Sequence, residues 1–289
     1  MIVPPIKIQG KKTKLIPEIK SIAETILGDH PEIDTWVEPF LGSGVVAFNC
    51  AEISRIRKVI VNDINPHIIK FYMGIASGTI TGDRIREVFK EHSKNLKEQG
   101  YDYYNEIKDR FNKTFETMDF LFLTRTGFNG VMRFNGKGEW NVPFCKIKER
   151  LSDNVIEDLA SSVEELYKLF SSKEFVFYNK SFEEVIESAP DNSIFYCDPP
   201  YYGLDVKYFK GWGEEDEIRL NGMLKDKNFI YSTWLDNRKK DNPMIEKLWK
   251  DYPVQEKEHK YNVAEKASER MGVTEGIFYT GKEQYEKLW

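Results

Sequence analysis

A short apolar strand, Asp34-Thr-Trp-Val-Glu-Pro-Phe40, runs into Gly42-Ser-Gly44, and a second strand, Arg57-Lys-Val-Ile-Val-Asn-Asp63, ends on an acid. Between them residues 45–51 are small and apolar, as a buried helix requires. Parallel strands need such a crossover, and strand, glycine turn, helix, strand, acid is the opening of a parallel nucleotide-binding sheet. The same alternation returns near the C-terminus, with strands expected at 175–178, 193–197 and 229–233 and helices from Phe182 and near 215–224. Strands near 254–259 and 276–280 would close the sheet. An amphipathic helix is expected over Leu15–Leu27.

From about Gly78 to Ser171 the period changes. Apolar residues recur at helical spacing through 85–96, 101–111, 115–123 and 155–170. Residues 131–144 break this with Gly136-Lys-Gly138 between two short alternating stretches, a hairpin signature. The expected architecture is therefore an α/β sheet domain, 1–77 and 170–289, interrupted by a mostly helical segment, 78–169, that carries a β-hairpin.

Composition narrows the class. The 289 residues hold 42 Lys+Arg against 47 Asp+Glu, a net charge of −5, which argues against an indiscriminate polyanion binder. Locally the balance reverses: residues 121–150 hold six basic side chains (Arg125, Arg133, Lys137, Lys146, Lys148, Arg150) against Glu139 and Glu149. No run approaches the roughly 18 apolar residues of a membrane span. Met1-Ile-Val-Pro-Pro lacks the layout of a signal peptide, so a cytoplasmic chain with reduced cysteines is expected. Cys50, Cys145, Cys197 and the four histidines show no metal-ligand spacing, and no metal is expected.

The sharpest local signal is Asp198-Pro-Pro-Tyr201, directly after the apolar strand Ile194-Phe-Tyr-Cys197. Ligands bind beyond the carboxyl ends of strands in open α/β sheets. The two prolines fix φ and remove two donors, leaving a rigid edge with outward carbonyls. A carboxylate beside a fixed carbonyl is an acceptor pair suited to an amino group, and the Tyr201 ring can stack on whatever carries that amine. Gly42 and Gly44 would let backbone approach a ligand, but a third glycine at the dinucleotide spacing is missing, which discounts a nicotinamide site. Asp63 suits a ribose hydroxyl or, equally, a cap on the helix after Pro66. The run Glu214-Glu-Asp-Glu217 reads as an acid-rich first helical turn favoured by the macrodipole.

In this order the pieces resemble the Dam-type, D12 class of site-specific DNA N6-adenine methyltransferases, with an EcoRV-like pattern nearest. The matching stretches are Val3 to Leu15, Trp36 to Asn49, Asn65-Pro-His67, Phe128 to Arg133, Asn141-Val-Pro-Phe-Cys145, Tyr196 to Tyr201 and Trp212-Gly213. Where Dam-type enzymes often carry Trp and a second Gly near the first motif, this chain has Ile8 and Lys11. The resemblance implies a Rossmann-like class I methyltransferase sheet, S-adenosylmethionine as cofactor and double-stranded DNA as partner. It also implies a cytoplasmic monomer or weak dimer, functionally paired in some settings with a restriction endonuclease.

It places the cofactor against Lys12, Glu38, Phe40, Gly42 and Gly44, with Asp63, Ser181, Phe182 and Asp198 completing the set. Catalysis falls to Asp198, Pro199, Pro200 and Tyr201. Arg133 on the hairpin becomes the base-reading arginine, Lys7 contacts a guanine beside the target, and Phe128 and Asn129 enter or brace the duplex. Asn141, Pro143 and Lys146 complete the DNA face, and residues 204–213 are expected to close over a flipped base. Two rival readings stay open: N4-cytosine methylation, whose enzymes usually carry Ser in place of Asp198, and a DNA-binding module that has lost catalysis.

Overall fold

The computed structural model describes residues 1–146, 148–203, 211–236, 240–260 and 272–281. Seven strands form one sheet in the order β3-β2-β1-β4-β5-β7-β6. They are β1 (Thr35–Glu38), β2 (Lys58–Asn62), β3 (Glu174–Tyr178), β4 (Ser193–Cys197), β5 (Asn228–Asp236), β6 (Val254–Lys260) and β7 (Gly272–Tyr279). The first five pair in parallel, and β7 inserts antiparallel between β5 and β6. β1 and β4 are buried along their whole length, the pattern of central strands covered on both faces.

Helices α1 (Ile16–Asp29), α2 (Val45–Cys50), α3 (Pro66–Ala76), α8 (Phe182–Ser188) and α9 (Glu214–Leu224) accompany the sheet. Between α3 and β3 lie α4 (Gly82–Gln99), α5 (Tyr101–Thr114), α6 (Thr117–Thr126) and α7 (Asp153–Ser172). α7 runs on to Ser172 because Phe170 continues its apolar face, so the boundary expected at 170 falls inside its last turn. One apolar core also joins the two segments, from Ile2 and Trp36 to Phe122 and Leu166. Among the described residues, no helix is long and apolar enough to cross a membrane.

The hairpin is shorter than its sequence pattern suggests. It holds one bridge, Phe134 to Trp140, with Asn135 N–H donating to the Glu139 carbonyl and Asn141 N–H to that of Arg133, both at 2.9 Å. Its support comes from the helices. Trp140, 2% exposed, donates its indole N–H to the Tyr104 hydroxyl, which in turn donates to the Val142 carbonyl.

The N-terminal strap is held at its start by Asn49, and Ser162 Oγ donates to the Val3 carbonyl at 2.6 Å. Asn49 Oδ1 accepts from Ile2 N–H and Nδ2 donates to the Ile2 carbonyl, both at 2.9 Å. This anchors residues 1–12 across the top of the sheet, and Gln9 N–H then donates to the Gly130 carbonyl beside the hairpin.

Candidate active site

A cleft opens at the carboxyl ends of β1, β2 and β4. Its edges are held together by Asn62, the last residue of β2, which sequence reading passed over as a strand residue. Asn62 Nδ2 donates to the carbonyls of Pro39 and Lys180, and its Oδ1 accepts from Lys180 N–H. One buried amide thus ties the exits of β1, β2 and β3.

The glycine turn divides its labour. Gly42 lines the cleft, and its N–H donates to Asp63 Oδ2 at 2.8 Å. Gly44 does not line it; its φ is +74° and a Cβ there would lie 2.2 Å from the Phe48 ring. The packing beneath the turn therefore leaves no room for a side chain at this position. Asp63 Oδ1 accepts from Asn65 N–H at 2.8 Å, and Asn65, not Asp63, caps α3 through His67 N–H. Burial pushes the Asp63 carboxyl up to about 6 against these two hydrogen bonds. Burial likewise raises Glu38, 2% exposed at the end of β1, well above the usual range.

Phe40 and Phe182 meet at 5.4 Å, as sequence reading would bring them together, and a third ring completes the wall. Trp212 stands edge-on to Phe40 at 5.4 Å and 87°, and 5.4 Å from Phe182. Trp212 is held by Glu217, which is fully buried: Oε1 accepts from the indole N–H at 3.0 Å and Oε2 from the Tyr231 hydroxyl at 2.9 Å. Glu217 is therefore an internal anchor, although the acid run suggested a solvated helical turn; it is Asp216 that serves the helix start, accepting from Gly213 N–H. Ser181 caps α8 and accepts from Glu184 N–H, which fixes Phe182 at the first helical position.

Asp198, Pro199, Pro200 and Tyr201 line the opposite wall, joined to the N-terminal strap by Lys12. The Lys12 ammonium, on a side chain only 5% exposed, lies 2.9 Å from Asp198 Oδ2 and donates to the Gly10 carbonyl at 2.9 Å. It also sits 4.9 Å from the centre of the Tyr201 ring. Asp198 Oδ1 is buried and has no hydrogen-bond partner among the described residues. Burial pushes the Asp198 carboxyl up to about 6, Lys12 pulls it down, and Glu275 pushes it up again. Glu275 was not singled out from the sequence. On β7, 2% exposed, it accepts from the Tyr201 hydroxyl at 2.9 Å and lies 3.7 Å from Lys12. Cys197 next to Asp198 is buried, which pushes its thiol up and fits a strand residue better than a nucleophile.

The residues expected on DNA gather on another face. Phe128 is 40% exposed, Asn129 beside it is exposed with φ +50°, and Asn141, Pro143 and Lys146 are exposed. Arg133 folds back on its own hairpin, donating through Nε and Nη2 to the Asn141 carbonyl. Lys7 is half-buried beside Gly130, and burial together with Arg150 and Arg125 lowers its ammonium to about 8. Lys7, Lys11, Arg125 and Arg150 form no ion pair among the described residues. Met132 brings the hairpin to the cleft rim, within 3.2 Å of Asn65 Nδ2. Of the loop expected to close over a base, 204–210 lie outside the described residues.

Five parallel strands with an antiparallel β7 inserted beside them, and a ligand cleft at the strand exits, define a Rossmann-like methyltransferase fold. The model of the D12 class N6 adenine-specific DNA methyltransferases matches residues 9–263, and the chain belongs to that family of adenine-specific DNA methyltransferases. It is 26% identical over 94% of its length to the type II methyltransferase M1.LlaDCHI of Lactococcus lactis subsp. cremoris, covering 93% of that protein. It is 26% identical to the Retron Ec67 DNA adenine methylase of Escherichia coli over 96% of this chain and 90% of the other. With the DNA adenine methylase of Haemophilus influenzae it shares 32% identity over 66% of this chain and 63% of the other.

Proposed function

We propose that the chain transfers a methyl group from S-adenosylmethionine to N6 of an adenine flipped out of a short, specific double-stranded DNA site. The observation that carries this reading is the half-used Asp198 carboxylate. Lys12 occupies Oδ2, while buried Oδ1, at the end of a strand, has no hydrogen-bond partner among the described residues. A buried acceptor left open is costly unless a ligand donor fills it.

The residues present fit the cofactor. The cleft is lined by Glu38, Asp63, Glu183, Asp198 and Asp216 against Lys11, Lys12 and Lys180, an acid excess suited to a cationic ligand. Asp63 is placed for ribose hydroxyls, since a carboxylate oxygen that takes one backbone N–H can accept another hydrogen. Phe40, Phe182 and Trp212 offer flat apolar walls for an adenine ring. Bound there, S-adenosylmethionine would supply an activated methyl group. Lys12, Glu38, Gly42 and Ser181 complete the cradle, and Gly44 shapes it from beneath. Residues 1–77 and 170–289 form the catalytic unit in this reading, and 78–169 the target-recognition unit.

The lone pair of an adenine N6 is delocalised into the ring and is a poor nucleophile. Asp198 Oδ1 and the Pro199 carbonyl accept one N6 hydrogen each, which makes the nitrogen more tetrahedral and aims its lone pair into the cleft. Pro200 keeps that edge rigid, and orientation supplies much of the acceleration. The surplus proton leaves N6 after transfer, so Asp198 need not be a strong base. The base reaches this position only out of the duplex, with Tyr201 stacked on it.

On the DNA face, Phe128 and Asn129 brace the opened duplex, and Arg133 and Lys7 read guanine edges, Arg133 after releasing the Asn141 carbonyl. Lys7, Lys11, Arg125 and Arg150 repel one another, a strain that DNA acceptors relieve. Asn141, Pro143 and Lys146 follow the backbone. Lys7→Ala is expected to relax discrimination at one guanine, a loss of about 1–3 kcal/mol. Lys146→Ala should weaken all sequences alike and reduce the salt slope by about one. Binding titrations on duplexes varied at one base pair, at several salt concentrations, separate the two.

By likeness to both Dam and EcoRV enzymes we propose GAT within the site, in restriction–modification protection or Dam-like marking by a cytoplasmic monomer or weak dimer. The reading as a whole is tested by incubating unmethylated duplex DNA with methyl-labelled S-adenosylmethionine and digesting to nucleosides. Label in N6-methyladenine supports it; label in N4-methylcytosine overturns the substrate, and no label favours a silent DNA-binding module.

A further inference from the structure

Glu275 takes no part in the reaction as set out above, yet it is a buried carboxylate in contact with two groups of the transfer site. By register it stands opposite Trp234 of β5 and Lys257 of β6. The Lys257 ammonium pairs with Glu18. Two contacts of Glu275 reach the transfer site, the Tyr201 hydroxyl at 2.9 Å and Lys12 at 3.7 Å. Lys12 reaches Asp198 at 2.9 Å, so a continuous path runs from Tyr201 through Glu275 and Lys12 to Asp198. Tyr201 and Asp198 belong to one turn after β4, and this path clamps both ends of it to β7.

Lys12 is shared by two carboxylates, Asp198 at 2.9 Å and Glu275 at 3.7 Å, so a change at Glu275 alters the hold on Asp198. We propose that Glu275 is a positioning residue for methyl transfer: it fixes the Tyr201 ring for the incoming base and shares Lys12 with Asp198, leaving Asp198 Oδ1 open to the substrate amine. This rests on the roles proposed above for Asp198 and Tyr201.

Two variants separate the contributions. Asp198 must be ionised to accept the N6 hydrogens, so wild-type kcat should fall as pH drops through about 6. Among the described residues, the charged or titratable groups around this cluster include Lys12, Asp198, Tyr201, Glu38 and the buried Tyr196. Glu275→Gln keeps shape and an acceptor but removes the negative charge, so the acid limb should move to lower pH and plateau kcat should fall about tenfold. Glu275→Asp keeps the charge but draws back from Tyr201, so the limb should stay while the plateau falls.

In both variants the cofactor Kd by calorimetry should remain within about threefold of wild type, as expected for a loss confined to the transfer step. With 2-aminopurine at the methylated position, both should show brighter fluorescence from a base less firmly stacked on Tyr201. Wild-type limb, plateau and fluorescence in both variants would overturn the inference. If Glu275→Gln does not fold, Glu275→Asp carries the test: a lowered plateau with an unchanged limb and cofactor Kd supports the clamp, and a wild-type plateau overturns it. An inactive wild-type enzyme that binds cofactor would instead remove the reading of Asp198 on which the inference rests.

Discussion

Asp198→Ala is expected to abolish methyl transfer, lowering single-turnover rates at least about a thousandfold while the cofactor Kd changes by less than about tenfold. The asymmetry follows from geometry. Removing the side chain takes away Oδ1, the open acceptor, and with it the means of directing the amine's lone pair. The aromatic walls of Phe40, Phe182 and Trp212, proposed above for the cofactor, are untouched. Lys12 loses its 2.9 Å partner but keeps the Gly10 carbonyl and Glu275 nearby, so the buried ammonium is not stranded. Single-turnover kinetics with calorimetry in parallel reads both numbers. A variant turning over within tenfold of wild type would remove Asp198 from the reaction.

The largest stability effect is expected at Gly44. An alanine there must adopt φ +74° and place its Cβ 2.2 Å from Phe48 Cε2. Phe48 has no room to give: it is fully buried, 4.9 Å from the Tyr72 ring and 5.3 Å from that of Phe170. The combined strain and overpacking should cost about 3–5 kcal/mol by urea denaturation. Gly42→Ala, two residues away, has φ +51° but meets nothing within 4 Å, and should cost only about 1–2 kcal/mol. Equal costs at the two positions would contradict the division of roles within the turn.

Much of this arrangement is legible in the chain itself. β1, β2 and β4 are apolar runs that stop at an acid or a proline, so strand, exit and candidate ligand group are encoded within a few residues of one another. Asp198 is legible for that reason. What escapes the sequence depends on distant pairing. Glu275 sits in Val-Thr-Glu-Gly-Ile, where one acid in a strand suggests a solvent-facing position; only insertion of β7 between β5 and β6 turns it under Tyr201. Glu217 is hidden differently, as one of four consecutive acids of which three suit a solvated first turn and one faces inward to Trp212. Asp63 offered two local readings, and the structure adds a third, a brace between Gly42 and Asn65 that neither spacing nor propensity encodes. Arg133 is visible as a hairpin cation, but its return to the Asn141 carbonyl is set by the short hairpin and the helices behind it.

The account is tested most directly by long-read sequencing of unmethylated genomic DNA after incubation with the enzyme and S-adenosylmethionine, with Asp198→Ala as the paired control. N6-methyladenine confined to one short motif, and absent from the control, is the predicted result. Modified cytosine, or adenine methylation that persists in the control, would contradict it.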